Sequence, residues 1–198
     1  MKKLLYITFV SLVVLSASAQ TQTEATVTQS AILPLEADST AGQYVDLGLQ
    51  SGTLWKTENE QDTYYTYDQA AETFGNSMPT VNQFLELINT CRWVWLGNGC
   101  TVTGPNGKAV FFPAAGFSSC TSASDAQLGV AGDVSEVGAF GFYWSSTPLD
   151  ATEYPHSFDL ANEELSAYCL VLGQGNIMKY SLLRCKGLSV RLVYTPAP

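Results

Sequence analysis

The sequence predicts an α+β domain, and three observations lead there. Two helical periodicities sit close together early in the chain, in "YDQAAETFGN" and "MPTVNQFLELINT". A succession of short apolar stretches broken by glycine turns follows them. Charged residues make up only 14%, while aromatics reach 12% and glycines number 16. That mixture suits a loop-rich domain with a packed core better than a long-helix protein.

The elements can be taken in order. Tyr44 to Leu47 reads as a short strand, Gly48 to Gly52 as a turn and Thr53 to Thr57 as a second strand. Tyr67, Ala70, Ala71 and Phe74 recur at helical spacing, and Gly75-Asn76 stops that helix. In the second helix Thr80 is the N-cap and Gln83 completes a capping box. Phe84, Leu85 and Ile88 then share one face. "RWVWLGNGCTVTG" predicts a hairpin turning at Gly97-Asn98-Gly99, with Cys100 opposite Leu96. "KAVFFPAAGF" predicts a strand ended by Pro113, and Ser118 to Gly138 a polar, glycine-punctuated loop. "AFGFYWSS" is another strand, on which Tyr143 and Trp144 take opposite faces. "SAYCLVLGQGNIMKYSL" is a hairpin around Gly173 to Asn176, and "GLSVRLVY" closes the domain before Pro196 and Pro198.

Ahead of the domain, residues 1–19 carry Lys2 and Lys3, an apolar run and Ala17-Ser18-Ala19, the pattern of a cleaved secretory signal peptide. Residues 20–43 form a Thr/Ser/Ala-rich linker, and the folded domain is expected over 44–195. Asp38-Ser39-Thr40 in that linker matches a short O-glycan acceptor pattern, and equally a plain linker. After signal cleavage no long apolar segment remains, so no transmembrane segment is expected. The net charge is −9. Such a chain repels phosphate backbones, which argues against nucleic acid as a partner.

Little of the catalytic repertoire is assembled in this sequence. Ser145 or Ser146 as a nucleophile has one histidine to call on, His156, and no nucleophile-elbow glycines. The simpler reading is a strand end held by local hydrogen bonds. One histidine and five scattered cysteines fit no zinc spacing, so neither a metal nor a cofactor is expected. Asp125, Asp133 and Glu136 show no calcium-loop spacing, and Gly104-Pro105-Asn106-Gly107 reads as a turn. Glu163 and Glu164 are adjacent and diverge on a strand, a poor start for glycoside hydrolysis. Trp55, Trp93, Trp95 and Trp144 all fall on predicted strands and read as core, with Trp93 and Trp95 on one face.

Five stretches in order, "YVDLGLQSGTLW", "MPTVNQFLELINTCRWVW", "VTGPNGKAVFFPAAGF", "YWSSTP" and "GLSVRLV", give the chain its resemblance to a known family. It resembles the Fibrobacter succinogenes major paralogous (FISUMP-like) domain of Bacteroidetes surface proteins, from Tyr44 to Val193. The resemblance implies a C-type lectin-like fold: a twisted antiparallel sheet, two flanking helices and long loops. That family is distantly similar to the formylglycine-generating (sulfatase-modifying) enzymes, which use a cysteine pair near the C-terminus. Here Cys185 stands there without its second cysteine, flanked by Arg184 and Lys186. It reads as a structural thiol or as half of a disulfide, with Cys169 as candidate partner. Cys91, whose family partner position holds Glu58, is unpaired or paired elsewhere, and a bridge to Cys100 is disfavoured across the hairpin.

The implied function is a non-enzymatic, secreted or cell-surface domain binding a protein or glycan. Its expected contacts lie on the irregular segments Ser118 to Gly138 and Pro148 to Leu165, with Asp150, Glu153, Tyr154 and His156 as candidate binding residues. The alternatives are a thiol-dependent enzyme akin to the formylglycine-generating group, and a structural module of a surface or pilus assembly.

Overall fold

A computed structural model describes residues 43–61, 64–121, 132–149 and 165–196. The expected signal peptide, almost all of the linker, and the candidates Asp150, Glu153, Tyr154 and His156 lie outside these residues, as do Asp125, Glu163 and Glu164.

Two helices and several antiparallel sheets make a mixed α and β architecture. β1 (Tyr44–Asp46) pairs with β2 (Leu54–Lys56), and β2 pairs on its other side with β11 (Val193–Tyr194). α1 (Tyr67–Phe74) and α2 (Val81–Thr90) follow β2. Both start at a capping box: Thr66 with Gln69 and Thr80 with Gln83, each Thr side chain accepting from the N3 backbone. β3 (Arg92–Trp95), β4 (Gly99–Thr103) and β5 (Ala109–Pro113) form a meander. β6 (Phe117–Ser118) pairs with β7 (Val134–Ser135). β8 (Phe140–Pro148), β9 (Ser166–Gly173) and β10 (Asn176–Leu183) form the longest sheet, with β9 central.

Turn chemistry sets two of these registers. Gly175, with φ of 78°, occupies left-handed backbone in the two-residue turn between β9 and β10. The β3–β4 turn is also two residues, Gly97-Asn98, because Leu96 N–H donates to Gly99 O. Cys100 therefore faces Trp95, not Leu96 as the three-residue turn predicted.

The β8–β9–β10 sheet divides the interior. From Ala167 to Gly173 every residue of β9 is buried, so both faces of this strand are covered. One face joins Tyr143, Leu170 and Leu172 to Trp55, Phe84, Leu87, Val102 and Phe112. The other joins Trp144, Cys169 and Val171 to Tyr67, Ala70, Leu188 and Val190. Tyr143 and Trp144 are neighbours in sequence, yet each is fully enclosed in a different core, as strand alternation predicts. Trp93 and Trp95 are half-buried and both pack on the first core.

The closing stretch is a seam more than a regular strand. Only Val193–Tyr194 belongs to β11. Upstream, Ser189 N–H donates to Phe142 O and Trp144 N–H to Ser189 O, a parallel bridge to β8. On its other side Lys56 N–H donates to Leu192 O, Glu60 N–H to Val190 O and Tyr65 N–H to Leu188 O. Alternation along this seam sends Leu188, Val190 and Leu192 into the second core. Arg191, between them, points to the first-core side and stacks over Phe112.

One disulfide joins Cys120 to Cys185, with Cα atoms 4.9 Å apart. This corrects the expected Cys169–Cys185 bridge. Cys169 sits within the β9–β10 ladder opposite Tyr180, whereas Cys185 lies beyond the last paired residue, Leu183. Ser118 and Gly187 exchange both backbone hydrogen bonds, and that contact brings Cys120 to Cys185. Cys91, Cys100 and Cys169 are free thiols.

Candidate functional site

Where β2 leaves its sheet, the chain from Lys56 to Gln61 runs along the closing seam and forms one wall of a cleft of about 1030 Å3. The opposite wall is Tyr64, Phe111, Pro113 and Ala115, and the floor is Ser189 and Arg191. Three separated stretches of sequence contribute to it: 56–64, 111–115 and 189–191. The long-range pairing of residues 56–65 with 188–192 brings the first and last of them together.

Arg191 organises the floor. It has no exposed surface. Its Nη1 donates to Lys56 O at 2.9 Å and its Nη2 to Phe111 O at 2.8 Å, so one planar fork ties the two walls. The guanidinium lies 4.6 Å from the Phe112 ring centroid. Burial lowers its pKa, while Tyr143, Glu58 and Glu60 act in the opposite direction. Its Nε has no hydrogen-bond partner.

Tyr143 stands behind that floor. Its hydroxyl donates to Pro113 O at 2.6 Å and accepts from Asn59 Nδ2 at 3.3 Å. Burial pushes its pKa up to about 12, with Arg191 and Asn59 offsetting part of the shift. The phenol stays neutral at any ordinary pH. Gly141 permits β8 to pass this close, since a Cβ there would stand 2.6 Å from Pro113 O. Asn59 Oδ1, like Arg191 Nε, is enclosed without a partner.

The reachable walls have two characters. Thr57, Glu58 and Gln61 are exposed, Asn59 and Glu60 half-exposed, and Glu60 is ion-paired with Lys56. No ion pair involves Glu58 among the described residues. Facing them are the half-buried rings of Tyr64 and Phe111 beside Pro113. The Tyr64 hydroxyl donates to Ala115 O, which fixes that ring.

The remaining candidates fall elsewhere. Ser145 is fully buried and its Oγ donates to Tyr168 O at 2.8 Å, while Thr147 N–H donates back to that Oγ. This is the strand-end arrangement the sequence favoured. Cys185 is bonded to Cys120. Burial raises the Cys169 and Cys100 thiols, and burial with Glu86 pushes Cys91 up to about 11. Asp133 and Glu136 join no group of three or more metal-ligating side chains among the described residues. No helix among those residues is long and apolar enough to cross a membrane. Sequence reasoning missed the cleft. Its one available signal was the polar pair Ser189 and Arg191, alternating with apolar residues in "LSVRLV".

No protein-family model, curated protein or solved structure matches this chain.

Proposed function

We propose that this chain is a secreted or cell-surface, non-enzymatic recognition domain of C-type lectin-like fold, and that it takes its protein or glycan ligand in the cleft between residues 56–61 and Tyr64/Phe111. The fold assignment rests on the five-stretch resemblance to FISUMP-like domains, and two helices beside antiparallel sheets are compatible with it. Export rests on the signal-peptide pattern of residues 1–19.

The observation that carries the reading is a preformed cleft whose floor groups are already committed. Arg191 holds two backbone carbonyls, and Tyr143 is locked between Pro113 O and Asn59. Groups so engaged shape a pocket without moving protons. Bonding of Cys185 to Cys120 favours recognition over thiol chemistry, which needs a free thiolate.

The test is a glycan array and a pull-down from mucus with the mature protein, each repeated with Gln61→Ala and Tyr64→Ala. Specific binding that both variants weaken supports the reading. Absence of binding in both assays contradicts it, as does binding that neither variant alters.

A further inference from the structure

The chemistry of the cleft narrows the ligand beyond recognition in general. Among the described residues the cleft holds two cations and two carboxylates: Lys56, Arg191, Glu58 and Glu60. Both cations are spent. Lys56 pairs with Glu60, and Arg191 is enclosed, with its fork on Lys56 O and Phe111 O. The charge left facing the opening is the exposed Glu58. Among the described residues an anionic ligand meets a carboxylate here and no free cation, so sulfate esters, phosphates and carboxylates are disfavoured.

A wholly apolar ligand fares no better. It would strip water from the exposed Thr57, Glu58 and Gln61 and return no hydrogen bonds. The polar wall offers hydroxyl, amide and carboxylate groups, which match a partner that both donates and accepts. The facing wall offers the rings of Tyr64 and Phe111, held in place, which match a flat face of C–H groups. A hydroxyl-rich molecule with one apolar face satisfies both walls at once. The volume, about 1030 Å3, is at the upper end for a small-molecule pocket and admits more than one sugar ring.

We infer that the cleft between residues 56–61 and Tyr64/Phe111 binds an uncharged saccharide, with a ring face stacked on Tyr64 and Phe111 and hydroxyls bonded to Thr57 and Gln61. This rests on the recognition reading above and chooses glycan over protein within it. Glu58 accepts from a ligand hydroxyl and at the same time rejects acidic sugars.

Titration calorimetry of the mature, disulfide-bonded protein tests this with three probe sets. The first is uncharged di- to tetrasaccharides, the second the same saccharides bearing a sulfate ester or carboxylate, and the third lysine-rich peptides. The expected result is saturable binding of an uncharged saccharide. Its sulfated or carboxylated form should bind about tenfold more weakly or not at all, from one carboxylate without an ion-pair partner at close range. Gln61→Ala, at an exposed position that folding does not need, should weaken binding about fivefold, one hydrogen bond's worth. Tyr64→Ala should weaken it further, and its circular dichroism reports separately whether it folds. Tighter binding of the acidic forms, or binding of the lysine-rich peptides alone, overturns the saccharide assignment while leaving the cleft as a binding site. Failure of all three sets, or saccharide binding that Gln61→Ala and a folded Tyr64→Ala leave unchanged, overturns the assignment of this cleft as well.

Discussion

Two fully buried tryptophans lie on opposite sides of the main sheet, and their surroundings differ. Trp144, in the second core, meets Tyr67 edge-on at 5.6 Å, and its indole N–H donates to Tyr65 O at 2.8 Å. Trp55, in the first core, packs on Phe84 and Phe112, but its indole N–H has no partner. Asn59 Oδ1 and Arg191 Nε share that condition on the same side, next to the cleft. Buried polar groups normally find partners. Where several do not, within a few residues of one another, the structure keeps a local cost for something other than stability. Three of the four such atoms among the described residues lie on the cavity side, and the fourth, Arg184 Nε, lies with its guanidinium over Tyr67 on the other.

The largest expected effect comes from removing the tie on the cavity side. Arg191→Leu leaves Lys56 O and Phe111 O without their donor, and should cost about 2–6 kcal/mol, measured by denaturant unfolding. A loss under about 1 kcal/mol would mean that the walls hold without it.

Next is the disulfide, which closes a separation of 65 residues. Replacing Cys120 and Cys185 together by Ser should cost about 4 kcal/mol by the loop-entropy argument. Cys169→Ser alone should leave the oxidised bridge intact by mass spectrometry, since Cys169 has no part in it.

High pH should also act on the cavity side. The Tyr143 phenol rises from 10.0 to about 12 in the folded state, so its contribution is complete below pH 10 and is lost as pH climbs toward 12. Two pKa units correspond to about 3 kcal/mol at the far end. Burial moves the Cys169 thiol upward in the same sense, which starts the decline above its ordinary value of 9.0. Unfolding free energy followed from pH 7 to 11 should be level at first and then fall. With Tyr143→Phe the fall above pH 10 should shrink.

The smallest effect compares the tryptophans directly. Trp144→Phe and Trp55→Phe remove the same ring atoms, but only the first loses a hydrogen bond, while Tyr65 O keeps the one from Leu188 N–H. Trp144→Phe should therefore be about 1 kcal/mol more destabilising, the net worth of one hydrogen bond. Equal losses would mean that the indole bond to Tyr65 O contributes nothing net.

Much of this frame was legible in the sequence, because local chemistry determines it. Thr80 and Gln83 announce a helix start in four residues, and the Gly97-Asn98 and Gln174-Gly175 turns announce their hairpins. The second capping box, Thr66 with Gln69, obeys the same rule and was equally readable. Pairings at long range were not legible. Cys120 meets Cys185 through the Ser118–Gly187 contact, which no spacing encodes. The cleft is harder still, since Asn59, Phe111 and Arg191 come from distant stretches that meet only when the closing seam docks. Only the closing stretch carried a local hint, Ser189 and Arg191 alternating with apolar residues. The candidates Asp150, Glu153, Tyr154 and His156 lie outside the described residues, so the fold gives no position for them.

The central claim is that recognition runs through the cavity side. Backbone amide chemical shifts, followed while a ligand retained on the glycan array is titrated in, test it most directly. The account predicts the largest changes at Lys56 to Gln61, Tyr64, Phe111, Ala115, Ser189 and Arg191, with Trp144 and its neighbours little moved. Changes centred on β10, from Asn176 to Leu183, with the cleft residues unmoved, would contradict it.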